Sequence, residues 1–337
     1  MTPKELRKIL QPVFRIADIC LSPLTLLAAF LLKIIRKIGV AQMPLSRTIF
    51  RKVGVFPIAD HYYEPLFNPR SLTLPLDMDR PLVGIDLNDH EQLELLDSMR
   101  YQDELAAIPF EKQADELTFY YGNPSFGPAD AEYLYGMVRH FKPRSIVEIG
   151  SGYSTLIARQ AIQVNHSEDP VARTTHICIE PYEMPWLEKT GVEVIRQVVE
   201  KVDLSLFRSL QANDILFIDS SHMVRPQGDV LFEFLEILPV LQPGVIIHVH
   251  DIFYPRDYTK RHLVDDVLFW NEQYILEAFL TCNDQFRIIA ALNYLKNHYP
   301  ERMYAKLPVL KMHPGHVPGS FWMVKNGPPA PTKSNNV

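Results

Sequence analysis

Five polar side chains stand where short apolar runs stop. Glu148 lies at the end of Ser145–Ile149, Glu180 follows Thr175–Ile179, Asp219 follows Ile215–Ile218, and His250 and Asp251 follow Val245–Val249. Each run is short and continuously apolar, the mark of a strand buried on both faces of a parallel sheet. Ligands of such sheets sit at the carboxyl ends of the strands. Four carboxylates and an imidazole on one rim favour a ligand that carries positive charge, because like charges repel. They also offer groups that can take a proton near neutral pH, chiefly His250 and the His222 of Phe-Ile-Asp-Ser-Ser-His.

The glycine turn that adjoins this rim is Glu148-Ile-Gly-Ser-Gly-Tyr-Ser-Thr155. A strand runs into Gly150-Ser151-Gly152, and a helix starts near Ser154, which can cap it. Strand, tight turn and helix N-terminus let a nucleotide-like ligand reach backbone amides. A phosphate cradle would place Lys or a further glycine here rather than Glu148, so a dehydrogenase is the weaker expectation.

The elements that must position these residues alternate. Helices are predicted over 128–141, 154–164, 204–210, 227–241 and 263–279, with strands at 145–149, 175–179, 192–196, 215–218, 245–249, 286–290 and 320–324. That alternation predicts an α/β fold, doubly wound on a mostly parallel seven-stranded sheet. Upstream, 87–105 has the spacing of one helix. Prolines and aromatics, Tyr62, Tyr63, Phe67 and Phe119–Tyr121 among them, break up the rest of 60–125, which reads as a linker and substrate cap or as core under a long connection. His248 reads as a core histidine. Arg225 and Arg256 read as contacts to an acidic substrate or as balance for surface acids, and 257–266 as a mobile lid or a solvated helix start.

Composition narrows the setting. The 337 residues are 47% hydrophobic with a net charge of −6, a globular balance. Three scattered cysteines without a Cys-x-x-Cys pair argue against a disulfide framework or a zinc knuckle. Residues 1–59 hold ten Lys and Arg against two acids, a charge of +8 that leaves the remainder at −14. Ile16–Leu32 is a 17-residue apolar run flanked by Arg15 and Lys33 and containing Asp18 and Pro23. A helix of that length reaches roughly 25 Å, short of a hydrocarbon core of about 30 Å. The reading is a monotopic or re-entrant anchor whose basic residues touch anionic head groups, with a spanning helix or an oligomerisation helix as alternatives. The predicted divisions are 1–59 as the membrane-associating extension, 60–125, 126–326 as the α/β domain, and 327–337 as a disordered tail.

Glu148-Ile-Gly-Ser-Gly, the strand-end Glu180 and Phe-Ile-Asp-Ser-Ser-His together resemble a class I S-adenosylmethionine-dependent methyltransferase, in the group of small-molecule and sugar O-methyltransferases. The resemblance covers about Phe126–Lys325. It implies a Rossmann-like methyltransferase fold with S-adenosylmethionine bound by Glu148, Gly150, Ser151, Gly152, Ser154, Glu180 and Asp219. Tyr153-Ser154 stands where the family usually has a third glycine. Relatives that hold a divalent metal place ligands where Asp219, His250 and Asp251 stand, which implies Mg or Mn; His250 departs from the carboxylate found there. The competing picture is metal-free, with His222 or His250 as general base and Asp251 orienting it, so the catalytic candidates are Asp219, His222, His250 and Asp251. The implied activity is O-methylation of a sugar hydroxyl in a glycan or lipid-linked saccharide on the cytoplasmic side of a membrane. A cytosolic small-molecule O-methyltransferase that forms a homo-oligomer through its N-terminal helix, or a catalytically silent scaffold, are the alternatives. The acidic body disfavours nucleic acid as a partner.

Overall fold

The computed structural model describes residues 3–61, 63–171 and 173–327. Tyr62 and the expected tail from position 328 lie outside the described residues. The chain forms two compact units, Met1–Thr73 and Leu74–Val337.

In the first unit, α1 (Pro3–Ile38) is one continuous helix, followed after Gly39 by α2 (Pro44–Val53). The apolar part of α1, Leu10–Ile38, is 29 residues long and none of it is buried. At ~1.5 Å per residue that is about 43 Å, well over the length the 17-residue count gave. The count stopped at Arg15 and Lys33, whereas the helix runs through both. Pro23 has no N–H for the Ile19 carbonyl. The Ser22 hydroxyl donates to that carbonyl at 2.9 Å, and Thr25 does the same for Leu21 at 3.1 Å. The carbonyl freed by Pro23 is therefore satisfied from within the helix. Arg36 pairs with Glu64. On α2, Leu45, Ile49 and Val53 lie exposed at four-residue steps while Arg47 and Arg51 occupy the other side, and Gly54 closes the helix at φ 76°.

The second unit begins with α3 (Asp89–Ser98) and α4 (Gln102–Ala107), two helices where one was predicted, followed by α5 (Asp130–Phe141). β1 (Ser145–Ile149), α6 (Tyr153–Glu168), β2 (Thr175–Ile179), β3 (Glu193–Ile195), α7 (Leu204–Arg208) and β4 (Ile215–Ile218) come next. α8 (Asp229–Phe232) passes through a π-helical stretch, Glu233–Ile237, into α9 (Leu238–Val240). β5 (Ile246–Val249), α10 (Glu272–Leu280), β6 (Phe286–Ala291), α11 (Leu292–His298), α12 (Pro300–Lys306), α13 (Pro308–Met312) and β7 (Phe321–Lys325) complete it. The strands form one seven-stranded sheet in the order β3-β2-β1-β4-β5-β7-β6, parallel except at β7, which runs antiparallel to both neighbours.

Alternation along each strand divides the core in two. Ile146, Phe217, Ile246 and Trp322 face one helical layer, and Val147, Ile149, Leu216, Ile218 and Val249 face the other. Leu96, Met99 and Leu105 of the first two helices join the former layer, so the unit starts at Leu74 and these helices belong to its body. The helix predicted over 263–279 is instead a π-helical turn, Arg261–Asp265, then α10. Val267 and Phe269 between them have positive φ, which no helix continues through.

Candidate active site

The order of the strands reverses direction between β1 and β4, and the cleft opens there. Gly150 leaves β1 at φ 75°, and a Cβ on it would lie 1.9 Å from the Asp219 carbonyl oxygen. Only glycine lets the two strand ends approach this closely. The cleft holds about 510 Å³, and Gly150, Ser151, Gly152, Ser154, Glu180 and Asp219 all line it. Six of the seven expected cofactor residues are thus brought together.

Glu148 is placed elsewhere. It shares parity with Ile146 and points into the layer of α6, buried. Its Oε2 accepts from the Thr155 hydroxyl at 2.7 Å and the Cys178 thiol at 3.4 Å, and lies 2.8 Å from His176 Nε2. Thr155 Oγ1 in turn accepts from the Gly152 amide at 3.1 Å. Glu148 therefore acts on the glycine turn through Thr155, from beneath the rim. Glu180 is also busy with backbone: Oε2 accepts from Ser151 N at 3.3 Å, and Oε1 from Tyr182 N and Glu183 N at 3.0 and 2.9 Å. A carboxylate has about four acceptor sites, so one remains for a ligand hydroxyl. Phe126, Met184, Val198 and Val199 add apolar wall that the sequence reading left out.

Beside the cleft the four catalytic candidates meet. His222 Nε2 lies 3.4 Å from Asp219 Oδ1 and 3.6 Å from Asp251 Oδ2; His250 Nδ1 lies 3.5 and 3.7 Å from the same two atoms. Ligand atoms of Asp219, His222 and Asp251 all fall within 4.8 Å of one another. In that group His222 stands where the expected set of Asp219, His250 and Asp251 had His250, because the loop after β4 brings His222 to within 3.4 Å of Asp219. Both His222 (φ 59°) and Asp251 (φ 55°) hold left-handed backbone, a strain of order 1–3 kcal/mol per residue that clusters at functional sites.

Two buried carboxylates that sequence reasoning missed stand behind the rings: Glu272 hydrogen-bonds His222, and Asp130 offers His250 a nearby charge. Glu272 Oε2 lies 2.8 Å from His222 Nδ1, and Asp130 Oδ2 lies 4.0 Å from His250 Nε2. Asp130 is fixed by amides of Gly319 and Ser320 at 3.1 and 2.8 Å. Each acid opens a helix, where an acidic residue already suits the macrodipole, so its sequence position carries no further signal.

At His250, His222 and Asp219 burial opposes charge, yet the pairing wins; at Glu272 burial wins and raises the carboxyl. Burial would lower His250, but Asp219, Asp251 and Asp130 hold its pKa up to about 10. Asp219 and Glu272 likewise keep His222 well above its usual value against burial. Against the cost of desolvation, Asp219, half-buried, is held well below the carboxylate range by His250 and His222. His248 is pushed down by burial and by His250; its Nε2 lies 2.9 Å from the Ser320 hydroxyl, the core role expected. Trp270 packs 4.3 Å from the His222 ring and stacks on His262 at 5.1 Å, with Tyr258 at its edge.

Residues 147–252, from β1 to just past β5, match a family described as "Methyltransferase domain". A protein of Archaeoglobus fulgidus described as uncharacterized is 31% identical over 183 residues, spanning 50% of this chain and 80% of that protein. Among solved structures, the O-methyltransferase from Bacillus cereus in complex with SAH overlays 71% of this chain and 92% of its own, with 15% identity and a TM-score of 0.37. An overlay that loose leaves the assignment to the family match, which spans the glycine turn, Glu180 and Asp219–Asp251. The chain thus carries a methyltransferase domain over residues 147–252, set on a sheet of the class I order, and is an S-adenosylmethionine-dependent methyltransferase.

Proposed function

We propose that the enzyme methylates a hydroxyl of a saccharide acceptor at a membrane surface, using the cluster at the ends of β4 and β5. The observation that carries this reading is the cluster itself. Two carboxylates and two imidazoles converge beside an aromatic face of Trp270 and His262, in a chain whose α1 exposes 29 apolar-rich residues.

The cleft suits the cofactor. Glu180, Glu183, Glu200, Asp219 and Asp229 give it negative walls, and no side chain can occupy the place of Gly150. A sulfonium with a ribose gains from such walls, whereas a pyrophosphate would be repelled. S-adenosylmethionine, when bound, supplies the electrophilic methyl group. The residues then orient and deprotonate. Gly152 and the first turn of α6 hold one end, Glu180 accepts from a hydroxyl, and the Asp219–Asp251 pair faces the acceptor. Asp251 would receive the acceptor proton as the new oxygen–carbon bond replaces the methyl–sulfur bond and the sulfonium leaves as a neutral thioether.

The spacing in the cluster also fits a divalent cation. His250 is buried with no hydrogen-bond partner on either ring nitrogen. Contacts of 3.4–3.7 Å are too long for hydrogen bonds. They approach the separation of about 3.0–3.4 Å between donors that share one ion at about 2.1 Å. Asp219, His222 and Asp251 would hold it, with His250 alongside, and it would lower the pKa of an acceptor hydroxyl. The mixed imidazole and carboxylate set suits Mn better than Mg.

Membrane delivery explains α1. A helix of 29 residues exceeds the hydrocarbon thickness of about 30 Å and crosses it with tilt, and the freed Ile19 carbonyl is already satisfied, as lipid requires. A re-entrant path would need a reversal that the continuous helix lacks.

The test is methyl transfer from labelled S-adenosylmethionine to membrane lipid extracts by the full chain. Label is expected in a saccharide-bearing lipid fraction, and Trp270→Ala should raise the acceptor KM while leaving SAH affinity unchanged. Label confined to water-soluble small molecules sinks the saccharide-at-membrane reading.

A further inference from the structure

Every polar side chain in the apolar stretch Leu10–Leu32 lies on one line. Gln11, Arg15, Asp18, Ser22 and Thr25 follow at alternating steps of four and three residues, and Ala29 and Arg36 continue the same line. All other positions in that stretch are apolar or Cys20. The step averages 3.5 residues, the period of a helix pair. The pattern is inside-out for water: a soluble coiled coil buries its apolar seam, whereas here the seam is polar and the flanks are Leu, Ile and Phe, all exposed. It is also too narrow for a helix lying in the head-group plane, which needs a broad polar face. In hydrocarbon, Arg15 and Asp18 are each costly unless they find a partner. Ser22 and Ala29 on the same line are small enough for close backbone approach.

We propose that α1 pairs within the bilayer with the α1 of a second copy of this chain, parallel and in register, along this seam. Copies of one chain enter a membrane with one topology, so the pair is parallel. In that arrangement the Arg15 pair and the Asp18 pair form adjacent layers about 4.5 Å apart along the axis, and each Arg15 reaches across the two-fold axis to Asp18 of the other copy, so that both charges are neutralised. The pairing rests on the spanning reading of α1 and adds to it the partner and the face.

The experiment uses the full chain in membranes, with Cys20→Ser and Cys282→Ser as background. Single cysteines are placed on the seam (Ser22→Cys, Thr25→Cys, Ala29→Cys) and off it (Leu24→Cys, Leu27→Cys), then oxidised. Disulfide-linked dimers of the chain are expected at the three seam positions and several-fold less at the two others. Asp18→Arg should cut the Ser22→Cys cross-link several-fold, and adding Arg15→Asp to it should restore the cross-link. A carbonate wash separates the two readings. Retention in the membrane with equal or absent cross-links at all five positions overturns the pairing and leaves the spanning helix standing. Release by carbonate overturns the spanning helix and the pairing with it.

Discussion

Glu272 sits behind His222, out of reach of any substrate, with Oε2 2.8 Å from Nδ1. A carboxylate in that place fixes the ring so that Nε2 faces Asp219 and Asp251. Removing its charge typically costs 10–100-fold in metal affinity or turnover. Glu272→Gln is therefore expected to lower Mn affinity by about 10–100-fold in a direct titration, with SAH affinity unchanged; an unaltered titration would make Glu272 a packing residue. Full activity in excess chelator, against an expected loss restored by Mn, would remove the cation from the cluster altogether. Asp219, His250 and Asp251 stood out because a polar residue after four or five apolar ones is conspicuous, and His222 because it closes Phe-Ile-Asp-Ser-Ser-His. Glu272 and Asp130 did not, since an acid in the first turn of a helix is ordinary. Glu148 was legible as important but not in its direction, because the reading placed it at a strand end without following the alternation that turns it toward α6.

The strands are the elements that sequence shows best. Buried on both faces, they must be continuously apolar, and the structure shifts their ends by only a residue or so. The helices between Leu292 and Met312 escaped notice because two prolines divide them into pieces of five to seven residues, too short for a period to register. The break before α10 was hidden for another reason: Val267 and Phe269 take positive φ, which neither side chain advertises. The turn from β1 to α6 depends on one hydroxyl. Thr155→Val keeps the shape but leaves the Gly152 amide unpaired and takes a donor from Glu148. It should cost about 1–3 kcal/mol in denaturant unfolding and weaken SAH binding, with Thr155→Ser restoring both. Unchanged SAH affinity in a destabilised Thr155→Val protein would separate the turn from the cofactor.

At the scale of the molecule, the catalytic core is complete without the first unit. Both buried layers, the sheet and the cleft are built from Leu74 onward. Deleting residues 1–73 should thus yield a protein that needs no detergent, with a cooperative unfolding transition and SAH affinity equal to that of the full chain. Aggregation of that fragment, or lost SAH binding, would show that the first unit completes the fold.

The proposed membrane helix also changes what concentration means for this enzyme. On that proposal a tethered catalyst and a lipid-borne acceptor would meet by diffusion in two dimensions, so turnover should follow their density per unit of bilayer area rather than per unit of volume. Mixing in inert phospholipid at fixed amounts of both ought to slow the reaction in proportion. The fragment beginning at Leu74, free in solution, ought to be indifferent to that dilution.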